Sequence, residues 1–438
     1  MSRLEKNIHN NIELHKFYGV TMKSSGKSFI ESLLEKGIEI SNPSSVEIGD
    51  EVNIDLISSE DVVIYSGCKI FGKKTLIMSG VRLGERSPVT IKNCQLGKNV
   101  NLKGGYFEES TFLDSANMGD GAEVRAGCLL EEQSNGSHTV GLKQTILFPF
   151  VTLGSIINFC DIFMAGGTSR KNHSEVGSSY IHFNYTPNQD KTTASLIGDV
   201  SHGVMLNKDP IFLGGQGGLV GPSRIGYGTI IAAGVIFRGD NPQGHKLLMG
   251  KQSQKEDLDF YPGIYWSVKR RILNSIDYIA NIIALKQWYI HVRSKFYNRS
   301  KIEKLLYEGA VEKLDLILHE RIKRFRQLTD KMEKSLELSR SLVGDKISEN
   351  LINQKKELFD NSQIIENTFK ENLSCAGDEL KREELLNAIE EIIKKNGIGY
   401  LKVIQQLNEK DSKIGSMWLV SIVEKIRKTI LNYLPSFK

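Results

Sequence analysis

The sequence predicts a parallel β-helix followed by an all-α domain, and two observations carry that prediction. A repeat with a period of six residues recurs through roughly the first 240 residues, and beyond it the apolar residues take on helical spacing. At 438 residues the chain is long enough for two or three domains. We divide it into a short N-terminal segment (1–40), the β-helix (41–250) and a helical domain (264–438).

Each repeat places an aliphatic residue before a Gly, then two variable positions and a small or β-branched residue. Six residues are too few for a pair of helices but fit a short strand and a tight turn, which is one side of a triangular coil. Gly, Asp and Asn suit such turns because the backbone there needs a positive φ. The repeats lie at Val46–Val52, Val81–Ser87, Cys94–Val100, Ala116–Ala122, Ser174–Tyr180, Leu196–Val200 and Ser223–Val235. The inward positions are expected to be Val52, Leu83, Leu96, Val176, Ile197 and Ile225.

The period is interrupted at 101–114, 131–141 and 154–173. Interruptions of this kind predict loops that project from the edges of the coil, where functional residues are often found. Before the first repeat, Ser28–Lys36 has a helical apolar pattern and is expected to form a short helix.

Composition changes abruptly near Gly263. Of the 40 Gly residues, 34 lie at or before that position, and from 264 to 434 there is no Pro. Residues 264–438 carry 32 Lys and Arg against 24 Asp and Glu, so the excess positive charge of the chain resides there. The apolar spacing predicts three to six helices in a bundle or in helical hairpins.

The first of these helices has Trp, Tyr, Lys and Arg beside an Ile-rich stripe. Packing against the β-helix is the expectation, with a peripheral contact to an anionic membrane surface as the alternative. Glu residues are interspersed among the cations, which argues against nucleic acid as a partner.

The five Cys residues show no metal-binding spacing, so we expect buried, reduced thiols and no metal site. The polar N-terminus does not resemble a signal peptide, and no apolar stretch is long enough to span a membrane. A cytoplasmic location is therefore expected.

Two stretches resemble a known family. They are Leu33–Val52 and His182–Lys191, the latter followed by I-G-D-V and I-G-Y-G-T-I-I-A-A-G-V. The sequence is similar there to hexapeptide-repeat acyltransferases, which form left-handed parallel β-helices. The nearest likeness is the acetyltransferase domain of the bifunctional UDP-N-acetylglucosamine pyrophosphorylase/glucosamine-1-phosphate acetyltransferases, and it extends over roughly residues 30–240. Nothing in the sequence resembles the nucleotidyltransferase domain of that family, so acyl transfer alone is expected.

The resemblance implies an acyl-CoA-dependent N-acyltransferase with acetyl-CoA as donor. Its acceptor would be an amino sugar, a sugar phosphate or a nucleotide sugar. It also implies a homotrimer with active sites between adjacent β-helices.

In the resembled family a His on a coil turn is the general base, and an Asn-Tyr pair on a later loop positions the substrate. Those positions match His173, Asn184 and Tyr185. His182 is the alternative histidine, because strand alternation puts it on the same face as Asn184. His202, in a turn, is a third candidate.

Four cations are candidates for binding an anionic substrate. Arg125 falls where the family has an Arg that contacts the substrate phosphate. Lys191 falls where the family has a Lys, and a cation there would suit the substrate or a phosphate of CoA. Arg170 and Lys171 flank His173. The Gly-rich segment that contains Gly215, Gly217 and Gly218 would let the backbone approach the pantetheine arm of acetyl-CoA, together with Ala233 in the next coil.

A second hypothesis belongs to a different functional class. Only two residues separate His173 from the Val176-Gly177 pair, whereas three are usual in related acyltransferases. The chain would then be a non-catalytic β-helix that binds a sugar nucleotide or holds a partner through its helical domain.

Overall fold

Short parallel strands build the N-terminal half of the protein. The computed structural model describes residues 29–250, 257 and 259–438. The strands stack into a parallel β-solenoid of about 11 turns, and helices follow it. The fold class predicted from the sequence is confirmed.

The strands are two to eight residues long. They are β1 (Glu39–Ile40), β2 (Glu47–Ile48), β3 (Val63–Ile64), β4 (Lys69–Phe71), β5 (Leu76–Ile77), β6 (Arg82–Leu83), β7 (Val89–Lys92), β8 (Gln95–Leu96), β9 (Asn101–Leu102), β10 (Gly105–Glu108), β11 (Ser110–Phe112), β12 (Asn117–Met118), β13 (Ala122–Val124), β14 (Cys128–Leu130), β15 (Asn135–Gly136), β16 (Val140–Leu147), β17 (Thr152–Leu153), β18 (Ile157–Met164), β19 (Gly167–Ser169), β20 (Asn172–His173), β21 (Glu175–Val176), β22 (Tyr180–Phe183), β23 (Ser195–Ile197), β24 (Phe212–Leu213), β25 (Gly217–Val220), β26 (Arg224–Ile225), β27 (Ile230–Ile231), β28 (Ile236–Arg238) and β29 (Leu247–Leu248).

The pairing order divides the solenoid into three faces. Face 1 runs β1-β3-β6-β9-β12-β15-β17-β21-β24-β27-β29. Face 2 runs β2-β4-β7-β10-β13-β16-β18-β22-β25-β28, and face 3 runs β5-β8-β11-β14-β16-β18-β23-β26. The long strands β16 and β18 bend around the corner between faces 2 and 3 and so belong to both.

The interior consists of stacked aliphatic residues. On face 1, for example, Ile64, Leu83, Leu102 and Met118 occupy equivalent positions in successive coils, and all four are fully buried. The six inward positions expected from the repeats are all buried, so that prediction is confirmed: Val52, Leu83, Leu96, Val176, Ile197 and Ile225.

Two of the three expected loops are instead regular coils. Residues 101–114 form β9, β10 and β11, and residues 131–141 contain β15 and the start of β16. At 101–114 the repeat was hidden because Phe107 and Phe112, rather than small aliphatic residues, fill the interior, with ring centroids 5.8 Å apart. Only the last part of 154–173 projects, as the antiparallel hairpin β19–β20.

The described residues also form ten α-helices. They are α1 (Phe29–Glu35), α2 (Val200–Gly203), α3 (Lys269–His291), α4 (Lys301–Thr329), α5 (Met332–Val343), α6 (Glu349–Asp360), α7 (Ser362–Glu371), α8 (Glu379–Asn396), α9 (Tyr400–Gln405) and α10 (Glu409–Leu431). The expected N-terminal helix is α1; Ser28, its expected first residue, lies outside the described residues. The C-terminal region has eight helices rather than three to six, and Gly344, Asn361 and Gly397 each directly follow the last residue of a helix.

The helical region covers face 3 of the solenoid. Helix α4 lies against β5, β8, β11 and β14, and α3 packs on β23. The close approach of α4 depends on Gly309, since a Cβ there would lie 2.5 Å from Oε1 of Gln95. The expectation that the first helix packs on the solenoid is therefore confirmed, and none of the helices in the described ranges combines the length and the hydropathy needed to cross a membrane.

Candidate active site

The histidine hairpin projects from the corner between faces 3 and 1. His173 ends β20 and pairs with Gly167 of β19, a position with φ of 100° that suits glycine. Its Nε2 lies 3.7 Å from Oε2 of Glu175 on the next strand, and its Nδ1 is buried without a hydrogen-bond partner among the described residues. Histidine is the side chain that most often serves as a general base in enzymes.

The two cations of the hairpin behave differently. The Nη1 of Arg170 donates to the carbonyl oxygens of Gln133 (3.0 Å) and Phe150 (2.8 Å) and to Oγ1 of Thr152 (2.9 Å). Burial lowers the pKa of Arg170. Lys171 is exposed and forms no ion pair within the described part of the chain. Arg170 thus fixes the hairpin to the preceding coils, and Lys171 is free to meet an anion.

A second group lies at the corner between faces 2 and 3. The Nδ2 of Asn184 donates to Oδ2 of Asp161 at 2.8 Å, and Oδ1 of Asp161 lies 2.8 Å from Nη2 of Arg321 in α4. The carbonyl oxygen of Lys191 accepts from Nη1 of the same arginine at 3.0 Å. Tyr185, between Asn184 and Lys191, is 58% exposed. The amide of Asn184 therefore fastens this loop to the helical region and leaves Tyr185 open to solvent.

Arg125 occupies the same corner between β13 and β14. It is half-exposed, and its Nε lies 3.7 Å from Oε1 of Glu123. It also acts electrostatically on the thiol of Cys160, as do Lys143 and Lys191. Asp161 acts on the same thiol with the opposite sign, so the corner carries charges of both signs.

His182 and His202 have structural partners. The ring of His182 is buried inside the solenoid, with Nδ1 2.6 Å from the carbonyl oxygen of Cys160 and Nε2 2.8 Å from Oγ of Ser195. Burial lowers the pKa of His182 to about 4. His202 lies in α2, with Nδ1 2.8 Å from Oδ1 of Asp199, the residue that caps this helix.

The Gly-rich segment forms the turn from face 1 to face 2 and the start of β25. A Cβ at Gly215 would lie 2.7 Å from the carbonyl oxygen of Ser178, and one at Gly218 would lie 2.7 Å from the ring of Phe183. Close stacking of neighbouring coils accounts for both glycines, and for Gly217, whose Cβ would lie 2.8 Å from the carbonyl oxygens of Gly214 and Val235. Ala233 lies in the equivalent turn of the next coil. On face 2, Gly218 pairs with Ile181 of the preceding coil and Ile236 of the next, and it is buried beneath the ring of Phe183.

Within one chain, the residues of the hairpin lie together, and so do those of the Asn184 loop. The hairpin and the loop themselves lie apart. The hairpin lies at one edge of face 3 and the Asn184 loop at the other, with the helical region between them. The described residues contain no group of His, Cys, Asp or Glu suited to a metal ion.

Sequence reasoning missed a buried ionic cluster beside the hairpin corner. Arg293, which is fully buried, pairs with Glu131 at 2.6 Å and with Glu132, and its guanidinium lies 3.5 Å from the ring centroid of Tyr400. Burial, partly offset by Arg293, raises the pKa of Glu131. The residues of this cluster come from distant parts of the chain. The one signal in the sequence is the adjacent acidic pair Glu131-Glu132 within an apolar repeat.

The chain has relatives among proteins of known function, although no family model matches it. It is similar to the bifunctional protein GlmU of Thermotoga maritima, with 28% identity over 229 residues, which is 51% of this chain and 45% of the relative. GlmU of Carboxydothermus hydrogenoformans is 26% identical over 228 residues (52% and 46%), and that of a Geobacillus species is 24% identical over 222 residues (50% and 43%).

The chain spans somewhat less than half the length of the curated relatives it matches. The homology over about half of this chain and the β-solenoid fit the hexapeptide-repeat acetyltransferase region of GlmU, and the resemblance stated from the sequence is confirmed.

Proposed function

We propose that this protein is an acyl-CoA-dependent N-acyltransferase that uses acetyl-CoA and acts on an amino sugar, a sugar phosphate or a nucleotide sugar. The GlmU homologues support a sugar-related acetyltransferase family. The proposal rests mainly on the His173–Glu175 pair at the edge of the hexapeptide-repeat solenoid. The hairpin that contains His173 is fixed to the preceding coil by the hydrogen bond from Arg170 to Phe150. The five unpaired cysteines fit a reducing compartment, and we propose the cytoplasm.

Acyl transfer to an amine requires a general base and groups that stabilise the negative charge of the transition state. His173 would remove a proton from the acceptor amine while the nitrogen of that amine attacks the thioester carbonyl carbon. The C–S bond then breaks, and the departing CoA thiolate takes up the proton that His173 removed, so that an amide and a free thiol result. Lys171 and Lys191 would neutralise phosphate groups.

The surfaces of faces 1 and 2 support a homotrimer. Phe212, Ile230 and Leu247 occupy successive outward positions on face 1 and are 39%, 45% and 61% exposed. Ile181 and Ile236 are exposed on face 2 at the same end of the solenoid. Contiguous apolar surface of this kind is typical of protein interfaces. Because helices cover face 3, a three-fold arrangement would place the corner between faces 1 and 2 at the axis.

Such a trimer would unite the two separated groups. Face 1 of one chain would pack against face 2 of the next, so the hairpin corner of the first chain would meet the Asn184 corner of the second. His173 and Lys171 would then face Tyr185 and Lys191 across the interface. In this arrangement Asn184 is a positioning residue, since its amide is bound to Asp161.

The hydrogen bond from Asn184 to Asp161 also favours a second candidate function, that of a non-catalytic solenoid that binds a sugar nucleotide. If Asn184 serves only to anchor the loop, the site has lost one of the polar groups that contact substrate in the resembled family. Binding without turnover would then be observed.

Release of thiol from acetyl-CoA, measured with a panel of amino sugars, amino-sugar phosphates and their nucleotide derivatives, tests the proposal. Thermal unfolding with each ligand gives a second readout, since a ligand that binds only the folded state raises the midpoint. Turnover with one acceptor supports the enzyme. A shift with a sugar nucleotide, combined with no thiol release from any acceptor, supports the binding protein.

The shared site is tested by mixing two inactive variants. His173→Ala and Tyr185→Ala chains, unfolded and refolded together, would form mixed trimers in which some interfaces contain both native residues. Activity that reappears only in the mixture supports a site between chains. Activity that never returns, although each variant is trimeric, would place both residues in one chain's site.

A further inference from the structure

The turn from face 1 to face 2 repeats one backbone conformation in successive coils of the solenoid. Strand pairing aligns one turn residue from each of six coils at this corner. All six have φ between 51° and 75°, the left-handed region that glycine and asparagine adopt most readily. These residues, which we call the corner column, are Gly121, Thr139, Ile156, Ser179, Gln216 and Gly234.

Ile156 is the least suited of the six to its position. A β-branched side chain crowds the backbone when φ is positive. Thr139 is also β-branched, but in the corner column only Ile156 combines that branching with an apolar side chain. Ile156 is 55% exposed, so burial within its own chain does not offset the strain. Strain of this kind points to a function at the position, and an exposed isoleucine suits a contact with apolar surface on another molecule.

A depression of about 350 Å³ lies beside Ile156 on face 2. It lies over Gly141 of β16, which pairs with Glu123 and Asn158 in the neighbouring coils and has no side chain. A Cβ at Gly141 would meet its nearest atoms at 3.7 Å, an ordinary contact distance, so the stacking of the coils does not require glycine there. Ile181, which is 42% exposed, adds an apolar edge. Room for an apolar side chain thus lies next to an exposed apolar side chain.

The chemistry of the depression suits a second copy of this chain. Glu123 is the only charged residue among the described residues that line it, and the cores of protein interfaces are similarly poor in charge. Ile156 directly precedes β18, whose Asn158 lines the depression, so the isoleucine and the depression lie at the same height of the solenoid. Copies related by a three-fold axis along the solenoid bring equal heights together.

We propose that Ile156 of one chain inserts into the depression at Gly141 of the next chain, three times around the trimer axis. This inference rests on the trimer of the proposed function and adds the contact that fixes its register. Coils repeat about every 4.8 Å, so two solenoids displaced by one coil would still match face to face. Because the corner column has an isoleucine in one coil only, its insertion selects one of these registers, and its burial on assembly offsets the backbone strain.

Two pairs of variants separate this contact from the rest of the interface. Ile156→Gly removes the side chain and suits the positive φ, and it should raise the concentration at which half of the trimer dissociates by at least about tenfold. Gln216→Gly makes a matching change two coils away and should leave that concentration unchanged. Gly141→Leu fills the depression and should weaken the trimer to a similar extent, whereas Gly141→Ala, whose Cβ fits at 3.7 Å, should not.

Sedimentation velocity of the full chain from nanomolar to micromolar concentration measures each effect without substrate, so the result does not depend on turnover. Dissociation of Ile156→Gly and Gly141→Leu at higher concentration than the wild type, with both control variants unchanged, supports the proposal. A trimer that either Ile156→Gly or Gly141→Leu leaves unchanged would overturn the proposal while the trimer itself stands. A wild type that stays a single chain at every concentration would overturn the proposal together with the trimer.

Thermal stability gives a second readout if Gly141→Leu does not fold. In Ile230→Asp chains, which are expected to stay apart, adding Ile156→Gly should raise the midpoint of thermal unfolding by about 1–2 °C, because it relieves the backbone strain. An unchanged or lower midpoint would show that Ile156 serves the fold of its own chain, and this would overturn the proposal.

Discussion

Arg321 of α4 and Asp161 of β18 form a buried ion pair of 2.8 Å, and the free oxygen of Asp161 accepts from Asn184. This chain of three side chains joins the helical region to the loop that carries Tyr185 and Lys191. The position of this candidate substrate loop therefore depends on helix α4, which lies outside the solenoid.

The first prediction concerns Asn184. Asn184→Ala should lower the free energy of unfolding by about 1–2 kcal/mol, because it removes a hydrogen bond to a buried carboxylate. It should raise KM more than it lowers kcat, since the loop is displaced while His173 stays in place. Denaturant unfolding and acetyl-transfer kinetics measure the two effects. A large loss of kcat without loss of stability would show that Asn184 acts on the reacting groups.

The second prediction concerns the general base. His173→Ala should lower kcat by about 10²–10⁴-fold, the usual contribution of a general base, with the melting temperature nearly unchanged. His182→Ala should instead destabilise the fold, because His182 is buried between Cys160 and Ser195. Steady-state kinetics and thermal unfolding of both variants measure these effects. If His173→Ala keeps full activity, another residue is the base.

The third prediction concerns the stability of the protein in acid. The pKa of His182 is about 4 in the folded protein and about 6.5 when unfolded, so its contribution is present above pH 6.5 and is lost as the pH falls towards 4. At pH 5 the loss should be about 2 kcal/mol relative to pH 7. His182→Gln should show a smaller fall over the same interval. Chemical denaturation at each pH provides the comparison, and equal slopes for both proteins would contradict the prediction.

The fourth prediction concerns the buried cluster. Arg293→Met should lower the free energy of unfolding by about 3–5 kcal/mol, because Glu131 and Glu132 are then buried without their cation. Adding Glu131→Gln and Glu132→Gln should restore much of that stability. Lys295→Met, which breaks a surface pair with Glu390, should cost less than about 1 kcal/mol and serves as the control. Denaturant unfolding compares the variants, and an equal effect of the two single variants would show that the cluster does not join the helices to the solenoid.

The fifth prediction concerns assembly. Ile230→Asp should dissociate the proposed trimer, because it places a charge in the middle of the apolar row on face 1. Leu380→Asp, at a residue that is 80% exposed in the helical region, should leave the mass unchanged. Light scattering at micromolar concentration measures both. A wild-type mass equal to one chain would contradict the trimer itself.

The sequence alone determined the solenoid and the helical character of the rest. A period of six residues fixes which positions point inward, as the burial of Leu83, Val176 and Ile225 confirms, because only one register buries the aliphatic column. The six-residue pattern did not predict the coil at 101–114, because Phe107 and Phe112 fill the interior there in place of the aliphatic residues that define the repeat.

The tertiary structure alone decided how the candidate residues are distributed. His182 and Asn184 share a strand face by alternation, yet the coil corner between them turns His182 into the core and ties Asn184 to Asp161. The pairing of Arg293 with Glu131 joins residues that lie far apart along the chain. A local repeat describes contacts between neighbouring coils, whereas the packing of helices on face 3 depends on contacts that no short-range pattern records.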